Sequence, residues 1–354
     1  MKNKKYYSLY LQLKNKILSG EYPSGSKLPS KRVLADMSGF STVTVERAYA
    51  MLEEEGYLST RQRSGYFVTL STAPTSTDRT VADAPLPHIK EDHAASGSRD
   101  FEYSIWFKTI RRVLTDHADE LFVKADGKGC AILRNAIADY LHRYRGMTAD
   151  PHSIIIGSGS EQLYEIAVKL LGRDRVFGIE DPCYSQIPAV YVGAGASVRP
   201  LRFGDDGIES TALQSGGFDV LHVTPFYSYP SGVTTSISKR YEYLAWAHAT
   251  GGYIIEDDFA SEFALGNHPV EPLFSLDSRH SVIYINTFSK SLSPSMRIGY
   301  MILPPELMAE YDRRLGAFSC SVPVLDQYVL AEFISSGSFE RHLNRVRRRI
   351  KRGS

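Results

Sequence analysis

The sequence predicts an α/β protein in two units, a small helical one followed by a larger domain with a mostly parallel sheet. Three observations carry this prediction. Short Val- and Ile-rich runs at 153–157, 175–181, 219–225, 252–258 and 281–288 are interspersed with helix-period segments at 160–172 and 238–251. That alternation is the pattern of a parallel sheet covered on both faces. Residues 1–70 show helical periodicity and then a turn-rich end. Between the two lies 71–100, rich in Ser, Thr, Ala, Pro and Asp and without apolar period, which reads as a linker. The expected organisation is therefore 1–70, a linker at 71–100, and 101–354.

The first unit resolves into three helices and a hairpin. Leu9, Leu13 and Ile17 recur at i, i+4, i+8, and Gly20 ends the segment. Ser30 is placed to cap a second helix whose apolar face is Val33, Leu34 and Met37. Ser41 is placed to cap a third, with Val45, Ala48, Tyr49 and Leu52 inward and Gly56 as the stop. "YLSTRQRSGYFV" reads as two strands around Ser64-Gly65. This order is a winged helix-turn-helix, whose third helix enters the major groove of double-stranded DNA. Residues 1–70 carry eleven Lys/Arg against six Asp/Glu.

The whole chain, at net charge +1, makes no electrostatic case for nucleic acid by itself. With 43% hydrophobic and 23% charged residues it suits a soluble globular protein. Cys130, Cys183 and Cys320 have no CxxC spacing, so neither a disulfide framework nor a metal site is expected. The N-terminus has no apolar leader and no run is long enough to span a membrane, so a cytoplasmic protein is expected.

In a parallel sheet, ligands bind beyond the carboxyl ends of the strands. "GSGSEQ" follows the run ending at 157 and opens a helix, the form of a phosphate site. Tyr184 follows "FGIEDPC", "FYSYPSG" follows "LHVTP", and Asp257 and Asp258 end "YIIEDD". Lys290 follows "VIYINTFS", with Arg297 seven positions on. A lysine amine, a carboxylate, a phosphate cup and an aromatic ring together are what pyridoxal 5′-phosphate (PLP) requires.

"NTFSKSLSPSMRIGY", "EDPCY", "YPSG" and "IIEDDFASEF" resemble the class I aminotransferase domain of fold type I. With "KLPSKRVLADMSGFSTVTVERAYAMLEEEGYL" the chain resembles the MocR subgroup of the GntR family, a winged helix fused to a PLP-dependent transferase-like domain. The resemblance implies that Lys290 is the catalytic lysine that bonds the cofactor. It implies that Asp257 faces the ring nitrogen, with Asp258 as the alternative. Gly159, Ser160, Glu161, Ser289 and Arg297 would hold the phosphate, Tyr184 would stack on the ring and Tyr229 would lie near the phenolic oxygen. In the first unit it assigns Arg32, Thr42, Thr44, Arg63 and Gly65 to DNA. It implies a PLP-dependent DNA-binding transcriptional regulator that senses PLP or an amino compound and works as a homodimer. An active aminotransferase with an appended DNA-binding domain is the alternative.

Four positions depart from the family pattern: Thr42 for arginine, Phe259 for tyrosine, Glu161 for an amide and Cys183 for glycine. The basic end, "RHLNRVRRRIKRGS", stands where relatives continue into a small C-terminal subdomain, which is expected to be missing here. No arginine for a substrate carboxylate can be assigned.

Overall fold

The computed structural model describes residues 5–61, 64–69, 101–263 and 271–353. The expected linker at 71–100 and the wing residue Arg63 lie outside the described residues. The chain divides into two compact units, the first of which also takes in residues 235–242, the start of the helix at 237–250.

The N-terminal unit comprises α1 (Lys5–Leu18), α2 (Lys31–Ser38), α3 (Thr42–Glu54), β1 (Leu58–Arg61) and β2 (Gly65–Val68). Leu9, Leu13 and Ile17 of α1 and Val45, Ala48, Tyr49 and Leu52 of α3 are all buried, as their spacing requires. The Ser30 hydroxyl accepts from Val33 N, and the Ser41 hydroxyl from Thr44 N. Helix α2 corrects the sequence reading. Its buried residues are Leu34 and Ala35, while Val33 is 49% and Met37 72% exposed. An eight-residue helix packed on α3 buries one narrow stripe, and these two side chains fall outside it. Strands β1 and β2 pair antiparallel from Leu58↔Val68 to Arg61↔Gly65. The segment before α2 lies along the outer edge of β2, through Leu28 N to Tyr66 O and Val68 N to Ser26 O.

In the larger unit α4 (Tyr103–Asp116) and α5 (Ala131–Tyr140) precede β3 (Ile154–Gly157). Then come α6 (Ser160–Leu171), β4 (Val176–Asp181), α7 (Gln186–Gly193), β5 (Ser197–Gly204) and β6 (Gly207–Ile208). They are followed by α8 (Ser210–Gln214), β7 (Val220–Val223), α9 (Ile237–Thr250), β8 (Tyr253–Asp257) and α10 (Leu273–Leu276). Next are β9 (Val282–Thr287), α11 (Phe288–Ser291), β10 (Gly299–Ile302), α12 (Pro305–Arg314), α13 (Val324–Ser335) and α14 (Ser338–Gly353).

The eight strands order as β3-β10-β9-β8-β7-β4-β5-β6. Strands β4, β5, β7, β8 and β9 pair parallel, whereas β10 runs antiparallel to both β3 and β9. Gly299, at the start of β10, pairs with Gly157 on one side and Thr287 on the other. The five runs read as strands from the sequence are β3, β4, β7, β8 and β9; the sequence reading did not identify β5, β6 and β10.

Alternation along the central strands divides their side chains between two cores. Ile155, Ile283, Ile285 and Met301 join α6, α7 and α12 on one face. Ile154, Ile156, Tyr284, Tyr300 and Ile302 join α5, α13 and α14 on the other. Because β3, β4, β7, β8 and β9 point the same way, their carboxyl ends share one edge of the sheet.

Candidate functional site

That edge collects the residues singled out from the sequence. Lys290 lies in α11, the short helix at the end of β9, and its ammonium sits 4.2 Å from the centre of the Phe259 ring. The residue is open to solvent, but protein crowds the ammonium and strips part of its hydration. That pushes its pKa down to about 8, against the opposing pull of the Asp257 and Glu262 carboxylates.

Asp257 is the last residue of β8 and is buried. Its Oδ2 accepts a hydrogen bond from Tyr164 of α6, while its Oδ1 has no partner among the described residues. Burial pushes this carboxyl up to about 6, partly offset by the Tyr164 hydrogen bond and by Lys290. Asp258 has different neighbours. Its Oδ2 pairs with Arg145 at 2.6 Å and accepts from the Tyr284 hydroxyl at 2.7 Å, while its Oδ1, like that of Asp257, has no partner among the described residues. Tyr284 belongs to the core on the opposite face of the sheet. The two acids that the sequence left as alternatives are thus parted by the pleat, and Asp257 is the one whose proton affinity responds to Lys290.

The turn after β3 lies beside Arg297. Gly159 has φ of +88°, and a Cβ there would come within 2.9 Å of the Arg297 guanidinium. Only glycine permits this approach without strain. Ser160 starts the twelve-residue α6, whose first backbone N–H groups open toward the same end of the sheet. The Ser289 hydroxyl is buried and has no partner among the described residues. Glu161 does not turn away from this group: its carboxylate accepts from Arg297 Nη2 at 2.9 Å. That leaves the guanidinium most of its five donors.

Tyr184 and Tyr229 are 41% and 40% exposed, too open for core packing to be their task. Their rings meet edge to face at 6.0 Å. Buried Glu180 ties their two loops together, because it sits near the end of β4 and accepts from Thr224 N (3.0 Å) and Ser228 Oγ (2.6 Å). Burial pushes its carboxyl up to about 8. The sequence reading missed Glu180, Tyr164, Tyr191 and His222. The available signal was a polar residue inside a wholly apolar strand, as His222 is in "VLHV".

In the N-terminal unit Arg32 and Thr42 are exposed. The Thr44 hydroxyl shares a hydrogen bond with Ser41 (2.8 Å), so it belongs to the helix cap. Gly65 opens β2 with φ of +111° and packs close to Lys27. Glu46 of α3 is held by Lys31 at 2.5 Å, and Arg47 lies over the Tyr6 ring. Among the described residues no cluster of His, Cys, Asp and Glu is disposed to hold a metal ion, and no helix is long and apolar enough to cross a membrane.

Residues 5–68 match the family described as bacterial regulatory proteins, gntR family, and residues 104–354 match aminotransferase class I and II. The HTH-type transcriptional regulator YdeL of Bacillus subtilis is 34% identical, over 97% of this chain and 76% of its own length. The probable rhizopine catabolism regulatory protein MocR of Rhizobium meliloti is 30% identical, over 96% and 73%. The chain belongs to the MocR subgroup of the GntR family.

As a MocR-type protein it is an HTH-type transcriptional regulator with an aminotransferase-like domain. The HTH-type pyridoxine biosynthesis transcriptional regulator PdxR of Corynebacterium glutamicum is 27% identical, over 95% of this chain and 74% of its own length. The fold of the larger unit is shared with Pyrococcus horikoshii kynurenine aminotransferase, at TM-score 0.63 and 24% identity. That alignment covers 71% of this chain and 64% of the enzyme. The larger unit of this MocR-type chain therefore has the fold type I architecture.

Proposed function

We propose that this regulator binds PLP at Lys290 and that occupancy of the cleft sets its affinity for an operator duplex. The observation that carries the proposal is the convergence, on one sheet edge, of a lysine with lowered pKa and a buried carboxylate with a free oxygen. The cleft suits PLP on two further counts. Asp257 Oδ1 and Ser289 Oγ are orphaned polar atoms of the kind a ring nitrogen and a phosphate would satisfy. Gly159, Ser160, Glu161 and Arg297 form a helix-start turn beside a guanidinium, which favours an anion.

When bound, PLP supplies an aldehyde for an amine and an electron-withdrawing ring. The chain's own residues do the rest. Lys290, with its pKa near 8, offers a fraction of neutral, nucleophilic amine near pH 7. Asp257 holds a proton at the ring nitrogen, and Arg297 with the α6 N-terminus holds the phosphate. Tyr184 would stack on the ring, and Tyr229 would lie near the phenolic oxygen. Phe259 packs against the amine and has no hydroxyl to donate. The effector would be PLP itself or an amino compound that binds in the same place. The working form is a homodimer that reads paired half-sites through α3, with Arg32, Thr42, Thr44, Arg63 and Gly65 at the DNA. The relatives are named as regulators, which supports this reading over a turnover enzyme.

The test is a visible absorbance spectrum with added PLP for the wild type and for Lys290→Ala, together with a transamination assay. A band in the wild type that the alanine variant lacks, without conversion of amino acid to keto acid, is the expected result. A wild-type spectrum that matches Lys290→Ala defeats the cofactor assignment, and sustained turnover favours the enzyme.

A further inference from the structure

Behind the cleft runs a buried chain of polar groups with no task in the description above. Tyr191 of α7 shares a 2.6 Å hydrogen bond with His222 Nδ1. His222 Nε2, on β7, stands 3.9 Å from Asp257 Oδ2, which also receives the Tyr164 hydroxyl. The Tyr164 and Tyr191 rings meet the imidazole edge to face, with centroids at 5.1 and 5.6 Å, and so fix its plane. All four residues are at most 4% exposed. His222 Nε2 has no hydrogen-bond partner among the described residues, so the Asp257 carboxylate is the acceptor it faces.

Burial pushes the His222 pKa down to about 3, so the ring is neutral near pH 7. A neutral imidazole carries one N–H. Tyr191 can donate to Nδ1, and that arrangement leaves the proton on Nε2, directed at Asp257.

We propose that His222, oriented by Tyr191, is a positioning residue for Asp257. Its Nε2–H dipole, 3.9 Å away and beyond hydrogen-bonding length, and the Tyr164 hydroxyl both face Oδ2, which favours the ionised carboxylate and leaves Oδ1 for the ring nitrogen of PLP. The inference rests on the PLP reading above. Other groups also act on Asp257: Asp258 next to it raises its proton affinity, and Lys290 on α11 lowers it; Glu180 on β4 is in turn raised by Asp257. With the His222 donor gone, this balance tips toward a protonated carboxyl, which can no longer stabilise a protonated ring nitrogen.

The full chain is tested as His222→Phe, which fills the space without a donor, and as His222→Gln, whose amide reaches toward the Nε2 position. Three readouts are taken: PLP affinity by absorbance titration, the pH midpoint of the cofactor's absorbance change, and thermal melting without cofactor. His222→Phe is expected to bind PLP about tenfold more weakly and to shift the pH midpoint by about one unit. His222→Gln is expected to recover both, with both variants melting cooperatively. A His222→Phe protein that equals the wild type in affinity and midpoint overturns the proposal.

A fourth readout is independent of PLP. Long-range proton–nitrogen NMR of the cofactor-free wild type should show the neutral Nε2–H tautomer of His222, and the Nδ1–H tautomer overturns the inference. If the tautomer is as expected but the wild type gives no lysine-dependent band, the cofactor reading fails and the geometry of the His222 chain stands.

Discussion

Asp257 and Asp258 are chemically identical neighbours, yet the pleat gives them opposite duties. One lies at the sheet edge where the charge of Lys290 reaches it. The other is locked to Arg145 and Tyr284 in the core beneath, with both side chains of the ion pair at most 4% exposed. Breaking such a pair from one side strands a buried charge. Arg145→Met should therefore destabilise the larger unit by about 3–5 kcal/mol, read as a lower urea midpoint. A loss below about 1 kcal/mol would show that the buried pair contributes little to stability. The sequence could place a carboxylate at the end of this strand but could not choose between the two. Arg145 lies 113 positions away, and only the fold brings it to Asp258. Glu161 teaches the same lesson, since its pairing with Arg297 spans 136 positions.

At the scale of elements, local signals were legible where a cap or a period sufficed. Ser41 holds the start of α3 through Thr44 N at 3.2 Å. Ser41→Ala should cost the N-terminal unit about 1 kcal/mol. Chemical denaturation followed by helix circular dichroism would measure this, and an unchanged midpoint would mean that water replaces the cap. The strands that escaped notice were those without the buried-strand signature. Strand β5 ("SVRPLRFG") alternates weakly, contains Pro200 and lies toward one border of the sheet, where exposure permits arginines. Strand β10 is only "GYMI", entered directly from the loop that carries Arg297. Its antiparallel direction has no sequence signal, because direction is decided by the neighbours it meets.

For the molecule as a whole, the two-unit plan was legible because composition and periodicity change between the units. The buried ionisable network was not, since its members come from strands and helices far apart in sequence. That network sets the response of the larger unit to pH. Burial raises Glu180 to about 8 and Glu262 to about 7, above the ordinary value of 4.5. Between these values the native state holds protons that the unfolded chain has released, so stability falls as pH rises. His222, lowered to about 3, acts oppositely but only below its unfolded value near 6.5. Lys290 opposes the decline only above about pH 8. From pH 6.5 to 8 the acids act alone, and the melting temperature of the cofactor-free larger unit should drop across that interval. A flat or rising profile in calorimetry would contradict the assignment of Glu180 and Glu262 as buried, proton-holding acids.

The double pairing of Gly299 has a consequence for how this chain can change over time. One residue sets the alignment of the glycine turn after β3 and of the segment carrying Lys290 after β9. Inserting or deleting a single residue between Lys290 and Gly299 would slide β10 by about 3.3 Å and reverse which side chains face each core. Arg297 would then leave Gly159, and Tyr300 and Met301 would exchange environments. Point substitutions in this stretch alter one contact at a time, whereas a change of length dismantles the whole cleft at once. The spacing of seven from Lys290 to Arg297 is therefore a length that this fold must inherit intact.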